Sequence, residues 1–258
     1  MKDLQSIARH AISLIDLTSL TGKENTTDII NLCQQAKSLE GNVAAICIYP
    51  QHIITAKKQL TAQDSTSIRI ATVTNFPKGQ QSIELVLQET ESAIALGADE
   101  IDLVFPYRSL IDGNKKIGFD MVKACKKICG ADITLKVIIE TGKLKTEDLI
   151  NIASEICIKA GADFIKTSTG TVEVNATLKS AEIILKTIKR LDKKVGFKVS
   201  GGVKSTLDAQ SYILLATEIF DKDWVNIENF RFGASSLLAK LLNSLGHYSS
   251  TESKQSGY

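Results

Sequence analysis

The 258-residue chain has little histidine, an odd number of cysteines and almost no net charge, and each shortage removes a class of function. His10 and His247 lie near the two ends, and His52 follows Tyr49-Pro50 where a helix start on the surface is expected. A three-histidine zinc site therefore has no ligand set to draw on. Thirty-one Lys and Arg against 29 Asp and Glu leave a formal charge of +2, without the basic excess that nucleic acid demands and without an acidic tail. The densest basic run, Lys186, Lys189, Arg190, Lys193 and Lys194, closes a helical pattern, where cations complement the helix dipole and stay solvated. No stretch approaches the ~20 apolar residues of a membrane span, and Met1-Lys2-Asp3-Leu4 turns polar at once, unlike a signal peptide. Cys33, Cys47, Cys125, Cys129 and Cys157 fall inside apolar patterns, as reduced thiols do, and the expected location is the cytoplasm. Cys125 and Cys129 would share a helix face, but no partner pair accompanies them, so packing accounts for them. There is no G-x-S-x-G elbow and no GxGxxG turn, and Gly142-Lys143 lacks the upstream glycine of a phosphate loop.

What is present is alternation. Strand-like runs at Leu14–Leu17, Val43–Tyr49, Arg69–Asn75, Ile101–Phe105, Thr134–Glu140, Phe164–Ser168, Val195–Ser200 and Phe230–Gly233 are separated by amphipathic stretches with apolar residues three and four apart, such as Ile83, Val86, Leu87, Thr90 and Ile94. Each return needs a crossover helix, so the strands pair in parallel. Gly97-Ala98-Asp99, Gly130-Ala131-Asp132 and Gly161-Ala162-Asp163 repeat one helix-to-strand junction, with glycine supplying the left-handed residue past a helix. The first strand is followed by Thr18-Ser19-Leu20-Thr21 rather than by a glycine-rich turn, which disfavours an open doubly wound sheet. The expected fold is α/β: a single (β/α)8 TIM barrel over residues 1–246 with an extra N-terminal helix, followed by a flexible polar tail over 247–258 that ends in Tyr258.

In such a barrel functional side chains gather at the C-terminal ends of the strands. Asp16, Cys47, Asp102, Lys136, Lys166 and Lys198 fall in the first, second, fourth, fifth, sixth and seventh strand runs. Charge inside apolar strands is costly unless paired or neutralised. Some of these residues could point outward to solvent, or Asp102 and one lysine could form a buried pair held for specificity. The functional reading is an amine nucleophile activated by its neighbours. Free lysine, with a pKa of about 10.4, is neutral at pH 7 only to the order of 0.1% or less. A second ammonium about 4 Å away, at an effective dielectric of about 20, disfavours the charged form by roughly 4 kcal/mol, which is about 3 pKa units. Lys166 and Lys198 lie on consecutive strands, so the topology predicts that they are neighbours.

Glycine-rich turns follow the last three strands: Ser168-Thr169-Gly170-Thr171, Ser200-Gly201-Gly202-Val203-Lys204 and Gly233-Ala234-Ser235-Ser236. Their backbone N–H groups, with the following helix N-termini, can cradle a dianion. Alone each pair is weak, since turns use glycine anyway.

The runs Ala44–Pro50, Ala71–Pro77, Gly97–Asp102, Gly161–Gly170 and Arg231–Ser236 together resemble the deoxyribose-phosphate aldolase family, and the resemblance extends from Asp16-Leu17-Thr18 to Tyr258. It implies reversible cleavage of 2-deoxy-D-ribose 5-phosphate to glyceraldehyde 3-phosphate and acetaldehyde, with no metal and no organic cofactor. By motif, Lys166 would form the Schiff base, Lys198 would perturb its pKa and assist proton transfer, and Asp102 would move protons through a bound water. Asp16 and Lys136 would support them, and Tyr258 matches a terminal tyrosine that exchanges protons with the enamine. Thr18, Cys47, Thr167, Gly170, Gly201, Gly202, Lys204, Gly233, Ser235 and Ser236 would bind substrate and phosphate. The implied partners are the small phosphorylated sugar and acetaldehyde, without nucleic acid or membrane, on a monomer or homodimer. The chain departs from the pattern at Thr171, where lysine is usual, at Lys204, where arginine is usual, and at Val199-Ser200, which replaces a small or proline pair. Tight phosphate binding is thereby in question, while the chemistry is retained. Two alternatives stay open: another lysine-dependent aldolase or a transaldolase with a different donor, and a non-catalytic phosphosugar-binding barrel.

Overall fold

Eight short apolar runs form parallel strands that pair with their sequence neighbours and close on themselves. In this computed structural model, which describes residues 2–247, they are β1 Ile15–Ser19, β2 Ala45–Ile48, β3 Arg69–Thr74, β4 Glu100–Val104, β5 Thr134–Ile138, β6 Phe164–Lys166, β7 Gly196–Ser200 and β8 Phe230–Ala234. Closure is made where β1 pairs with β8 on one side, Asp16 opposite Gly233, and with β2 on the other, Asp16 opposite Ala45. The principal helices are α1 Lys2–Ser13, α2 Thr26–Gln35, α3 Ile53–Ala62, α4 Ile83–Leu96, α5 Lys115–Cys129, α6 Glu147–Lys159, α7 Leu178–Leu191, α8 Thr206–Ile219 and α9 Leu237–Ser244. The extra N-terminal helix is α1; it packs against α8 and α9 and buries Ala8, Ala11 and Ile12. Among the described residues no helix is long and apolar enough to cross a membrane. The expected tail, apart from His247, lies outside the described residues, and so does Tyr258.

The helices begin where short polar side chains satisfy their free N–H groups. Asn25 accepts from Thr27 N and Asp28 N, and Ser82, Thr146, Thr177 and Ser205 cap α4, α6, α7 and α8 in the same way. The apolar faces of these helices close over the strands, and one continuous core joins helices to barrel. The five cysteines are buried and unpaired. Cys125 and Cys129 sit in this core on α5, and burial pushes their thiols up to about 11 and about 12.

The repeated Gly-Ala-Asp junction has two parts. Gly97, Gly130 and Gly161 all take positive φ, the conformation that glycine adopts at least cost. The aspartates of the first and third copies then reach the preceding strand: Asp99 accepts from Ile70 N at 2.8 Å, and Asp163 accepts from Leu135 N at 2.7 Å. Each carboxylate ties the second residue of the preceding strand to the junction that opens the next.

Five strands end before the sequence expectation, those at Ile48, Thr74 and Val104 by one residue and two others by two. The fifth run was expected to continue to Glu140, but β5 stops at Ile138 because Glu140 takes a left-handed φ of 56° and opens the short helix Thr141–Leu144. The sixth stops at Lys166, whose successors turn into the mouth of the barrel. A short antiparallel hairpin, Lys37–Ser38 against Gly41–Asn42, was not foreseen.

Candidate active site

Lys166 ends β6, and Lys198 is its register partner on β7. Across the barrel, β4 carries Asp102, opposite Lys136 on β5. Residues two apart on a strand face the same side, and the side chains of all four meet inside the barrel. Lys166 Nζ and Lys198 Nζ both lie 2.7 Å from Asp102 Oδ2, while Lys136 Nζ lies 3.0 Å from Asp102 Oδ1. None of the four is more than 2% exposed.

Three further residues complete the cluster. Lys198 Nζ is 2.5 Å from Asp16 Oδ2 on β1, and Lys136 is 3.5 Å from the same oxygen and paired with Glu100. Arg231 on β8 donates from Nη1 to Asp16 Oδ1 at 2.7 Å and from Nη2 to Glu100 Oε1 at 3.0 Å. Four basic side chains thus share three carboxylates. Unpaired, any of these charges would be prohibitively costly to bury.

Burial and these ionic contacts act together on the pKa of each group. Burial is the largest influence on Lys166 and lowers its pKa; Asp102 opposes that, and Lys198 adds to it. The sequence expectation assigned the depression to Lys198 alone, whereas burial leads. On Lys198 burial works in the same direction, but Asp102 and Asp16 outweigh it and hold the group above the ordinary lysine value. Lys136 is likewise raised, its burial overcome by Asp102, Glu100 and Asp16. Burial would raise Asp102, yet Lys136, Lys166 and Lys198 hold it well below the usual carboxylate range, and Lys198, Lys136 and Arg231 do the same for Asp16. The two lysines therefore diverge: the pKa of Lys166 is lowered and that of Lys198 is raised.

Above the cluster, at the C-terminal ends of the strands, lies a cleft of about 370 Å³. Thr18, Gly170, Gly201, Gly202, Lys204, Gly233, Ser235 and Ser236 line it, together with Thr169 and Thr171. Its turns lead into the N-termini of α8 and α9, where N–H groups and the helix dipole favour an anion. Two residues of the expected binding set lie elsewhere. Thr167 is buried between β6 and β7, where its hydroxyl donates to Ser200 O at 3.2 Å and accepts from Ser200 N at 3.0 Å. Cys47 is deeper, its Sγ 4.0 Å from Asp102 Oδ2, and burial with the nearby Asp102 charge raises its thiol.

Three residues with no role in the sequence reading belong to this region. Glu100 and Arg231 form the floor of the cluster. Glu140 is fully buried at the mouth: Thr169 Oγ1 donates to its Oε2 at 2.6 Å, and the Thr169 and Thr171 hydroxyls are 2.9 Å apart. Burial raises the Glu140 carboxyl, against the hydrogen bonds from Thr169 and the charge of Lys166. This chain of contacts fixes the turn that forms one wall of the cleft. Glu100 and Arg231 were detectable by the signal that found the lysines, a charge within an apolar strand.

The profile of the DeoC/LacD aldolase family matches residues 10–242. Among solved structures, one from Toxoplasma gondii ME49, provisionally assigned as a deoxyribose-phosphate aldolase, superposes with a TM-score of 0.88 at 22% identity, covering 97% of this chain and 100% of that one. One from Coccidioides immitis, with the same provisional assignment, gives 0.81 at 26% identity, over 93% and 87%. The deoxyribose phosphate aldolase of Aeropyrum pernix, described as a tetramer, gives 0.72 at 23% identity, over 95% and 97%. Likeness at such identities carries the fold, and the family match along most of the sequence carries the class of chemistry. With a lysine–aspartate cluster inside a closed parallel barrel and that match across residues 10–242, the chain belongs to the DeoC/LacD family of aldolases and is a lyase.

Proposed function

We propose that this chain is a Schiff-base aldolase that reversibly cleaves 2-deoxy-D-ribose 5-phosphate to D-glyceraldehyde 3-phosphate and acetaldehyde, in the cytoplasmic breakdown of deoxyribose and deoxyribonucleotides. The observation that carries this reading is the sharing of Asp102 Oδ2 by Lys166 and Lys198, each at 2.7 Å, beneath a cleft lined by glycine-rich turns.

The free amine of Lys166 attacks the C1 aldehyde of the open-chain sugar. Lys198, cationic beside the same carboxylate, supports the proton transfers that expel the C1 oxygen as water and leave an iminium. Asp102, acting through water, takes the proton of the C3 hydroxyl. The C2–C3 pair then moves into the iminium, releasing glyceraldehyde 3-phosphate and leaving an enamine. Protonation at C2, with Tyr258 as exchange partner, and hydrolysis free acetaldehyde and regenerate the amine. The iminium serves as the electron sink, so this route calls for no metal or organic cofactor. The N–H groups of the Gly170, Gly201–Gly202 and Gly233–Ser236 turns, with Lys204, hold the phosphate.

Incubation with acetaldehyde and borohydride, followed by peptide mapping, tests the proposal. A two-carbon adduct on Lys166 is expected. Labelling by dihydroxyacetone phosphate in place of acetaldehyde would indicate a different donor, and ligand binding without any adduct would indicate a phosphosugar-binding barrel.

A further inference from the structure

The floor of the charged cluster is built by two residues that touch neither Lys166 nor the cleft. Arg231 is the register partner of Lys198, and its guanidinium forks between two carboxylates. It takes Oδ1 of Asp16 and Oε1 of Glu100, while Lys198 takes Oδ2 of Asp16 and Lys136 takes Oε2 of Glu100. Arg231 Nε donates to Ile227 O at 2.6 Å, and the Phe164 ring lies 5.6 Å from the guanidinium carbon. The fork is therefore fixed from several sides: Asp16 gives Oδ1 to Arg231 and Oδ2 to Lys198 and Lys136, while Glu100 gives Oε1 to Arg231 Nη2 and Oε2 to Lys136 and, at 3.4 Å, to Arg231 Nη1.

We propose that Arg231 and Glu100 are positioning residues that set the net charge of the buried cluster and thereby decide whether Lys166 stands there as an amine or as an ammonium. The inference rests on the Schiff-base reading above. With every group ionised, Lys136, Lys166, Lys198 and Arg231 exceed Asp16, Glu100 and Asp102 by one positive charge. Release of one proton balances the cluster, and Lys166, the member with the single carboxylate contact, is where it leaves. Without Arg231 the cluster is balanced with Lys166 charged, and the drive to shed that proton is gone. Without the charge of Glu100 the excess grows, and the drive increases. The other groups facing Lys166 are the Cys47 thiol and the Glu140 carboxyl, whose charged forms are both disfavoured by burial. They are common to all variants, so they move the starting point and leave the sign of each change intact.

The test is the pH dependence of acetaldehyde trapping on Lys166 by cyanoborohydride, read by intact mass and peptide mapping. Arg231→Met should move the midpoint up by about one unit, about tenfold less adduct at a pH below both midpoints. Glu100→Gln should move it down by a similar amount, and the double variant should return close to the unmodified enzyme. A residue that merely stabilised the barrel would not shift the midpoint in opposite directions. Folded single variants, by circular dichroism, whose profiles coincide with the parent would overturn the proposal. If Arg231→Met does not fold, Glu100→Gln decides alone: a downward shift supports the proposal, and an unmoved midpoint sinks it. NMR titration of the Lys166 ε-carbon in 13C-lysine-labelled protein reads the same midpoint without aldehyde. Absence of any adduct in the parent would thus count against the Schiff-base reading, while the NMR midpoints would still decide the role of Arg231 and Glu100.

Discussion

Lys166 and Lys198 stand opposite each other on adjacent strands, and a single oxygen, Asp102 Oδ2, receives both side-chain nitrogens at 2.7 Å. Parallel pairing in this register gives the two amines different partners below that shared oxygen. Lys198 also reaches Asp16, whereas Lys166 has no second carboxylate within ion-pair distance among the described residues. That difference in partners helps to lower the pKa of Lys166 and to raise that of Lys198, in side chains of the same type.

On the Schiff-base proposal, Lys166→Leu should abolish aldol cleavage, by more than about a thousandfold, because the covalent intermediate is then lost. The variant should fold with an undiminished melting temperature, since three basic groups then face three carboxylates. Release of glyceraldehyde 3-phosphate in a coupled assay, beside a thermal melt, checks both; normal turnover would refute the nucleophile.

Lys198→Leu leaves Asp16 and Asp102 short of a buried partner, and should cost about 3–5 kcal/mol of stability. It also removes a cation beside Lys166, which favours the charged form of that amine. The pH–rate profile of any residual activity should therefore move upward. A profile unmoved or displaced toward acid would contradict the arrangement.

Acid should destabilise the protein through Asp16 and Asp102. Both are held below their ordinary values in the fold, so between the folded and unfolded pKa the unfolded chain binds more protons. Their contribution is present above about pH 4 and is lost as pH falls toward the depressed folded values. Asp16→Asn should flatten the fall in denaturation midpoint measured from pH 5 downward; an unchanged slope would assign acid sensitivity to other groups.

Gly233→Ala tests how tightly the cluster is enclosed. A Cβ at this position would lie 2.8 Å from Ser200 Oγ and 3.0 Å from Lys198 Cε. Such overpacking costs about 1–3 kcal/mol and shifts the neighbour that can move. Turnover should fall by about ten- to a hundredfold with the barrel intact. Wild-type kinetics would mean that Lys198 tolerates displacement.

Thr171→Lys should lower KM for the phosphorylated sugar by about three- to tenfold with little change in kcat, since an added cation on the cleft wall strengthens binding without entering the bond-breaking step. Steady-state kinetics with phosphorylated and unphosphorylated substrates reads this directly; equal gains for both would place the effect away from the phosphate.

The barrel was legible because its strands are apolar runs separated by periodic helices, a pattern that survives without knowledge of register. The lysines and Asp102 stood out because charge within such runs is rare. Arg231 between Phe230 and Phe232, and Glu100 two residues before Asp102, carried the same signal and were passed over. Strand parity would have included them. Glu140 was hidden for another reason: a left-handed backbone at a non-glycine residue is decided by the surrounding contacts and leaves no mark in composition. The distribution of charge among Lys166, Lys198 and Lys136 required coordinates, because it depends on how many carboxylate oxygens each amine can reach.

The carboxylates of Asp99 and Asp163 anchor strand beginnings at the end of the barrel opposite to the cleft. The contacts that anchor the strands at that end are thus separate from the turns that line the cleft. Substitutions confined to Gly170, Lys204 or Ser235 should therefore leave those strand anchors untouched.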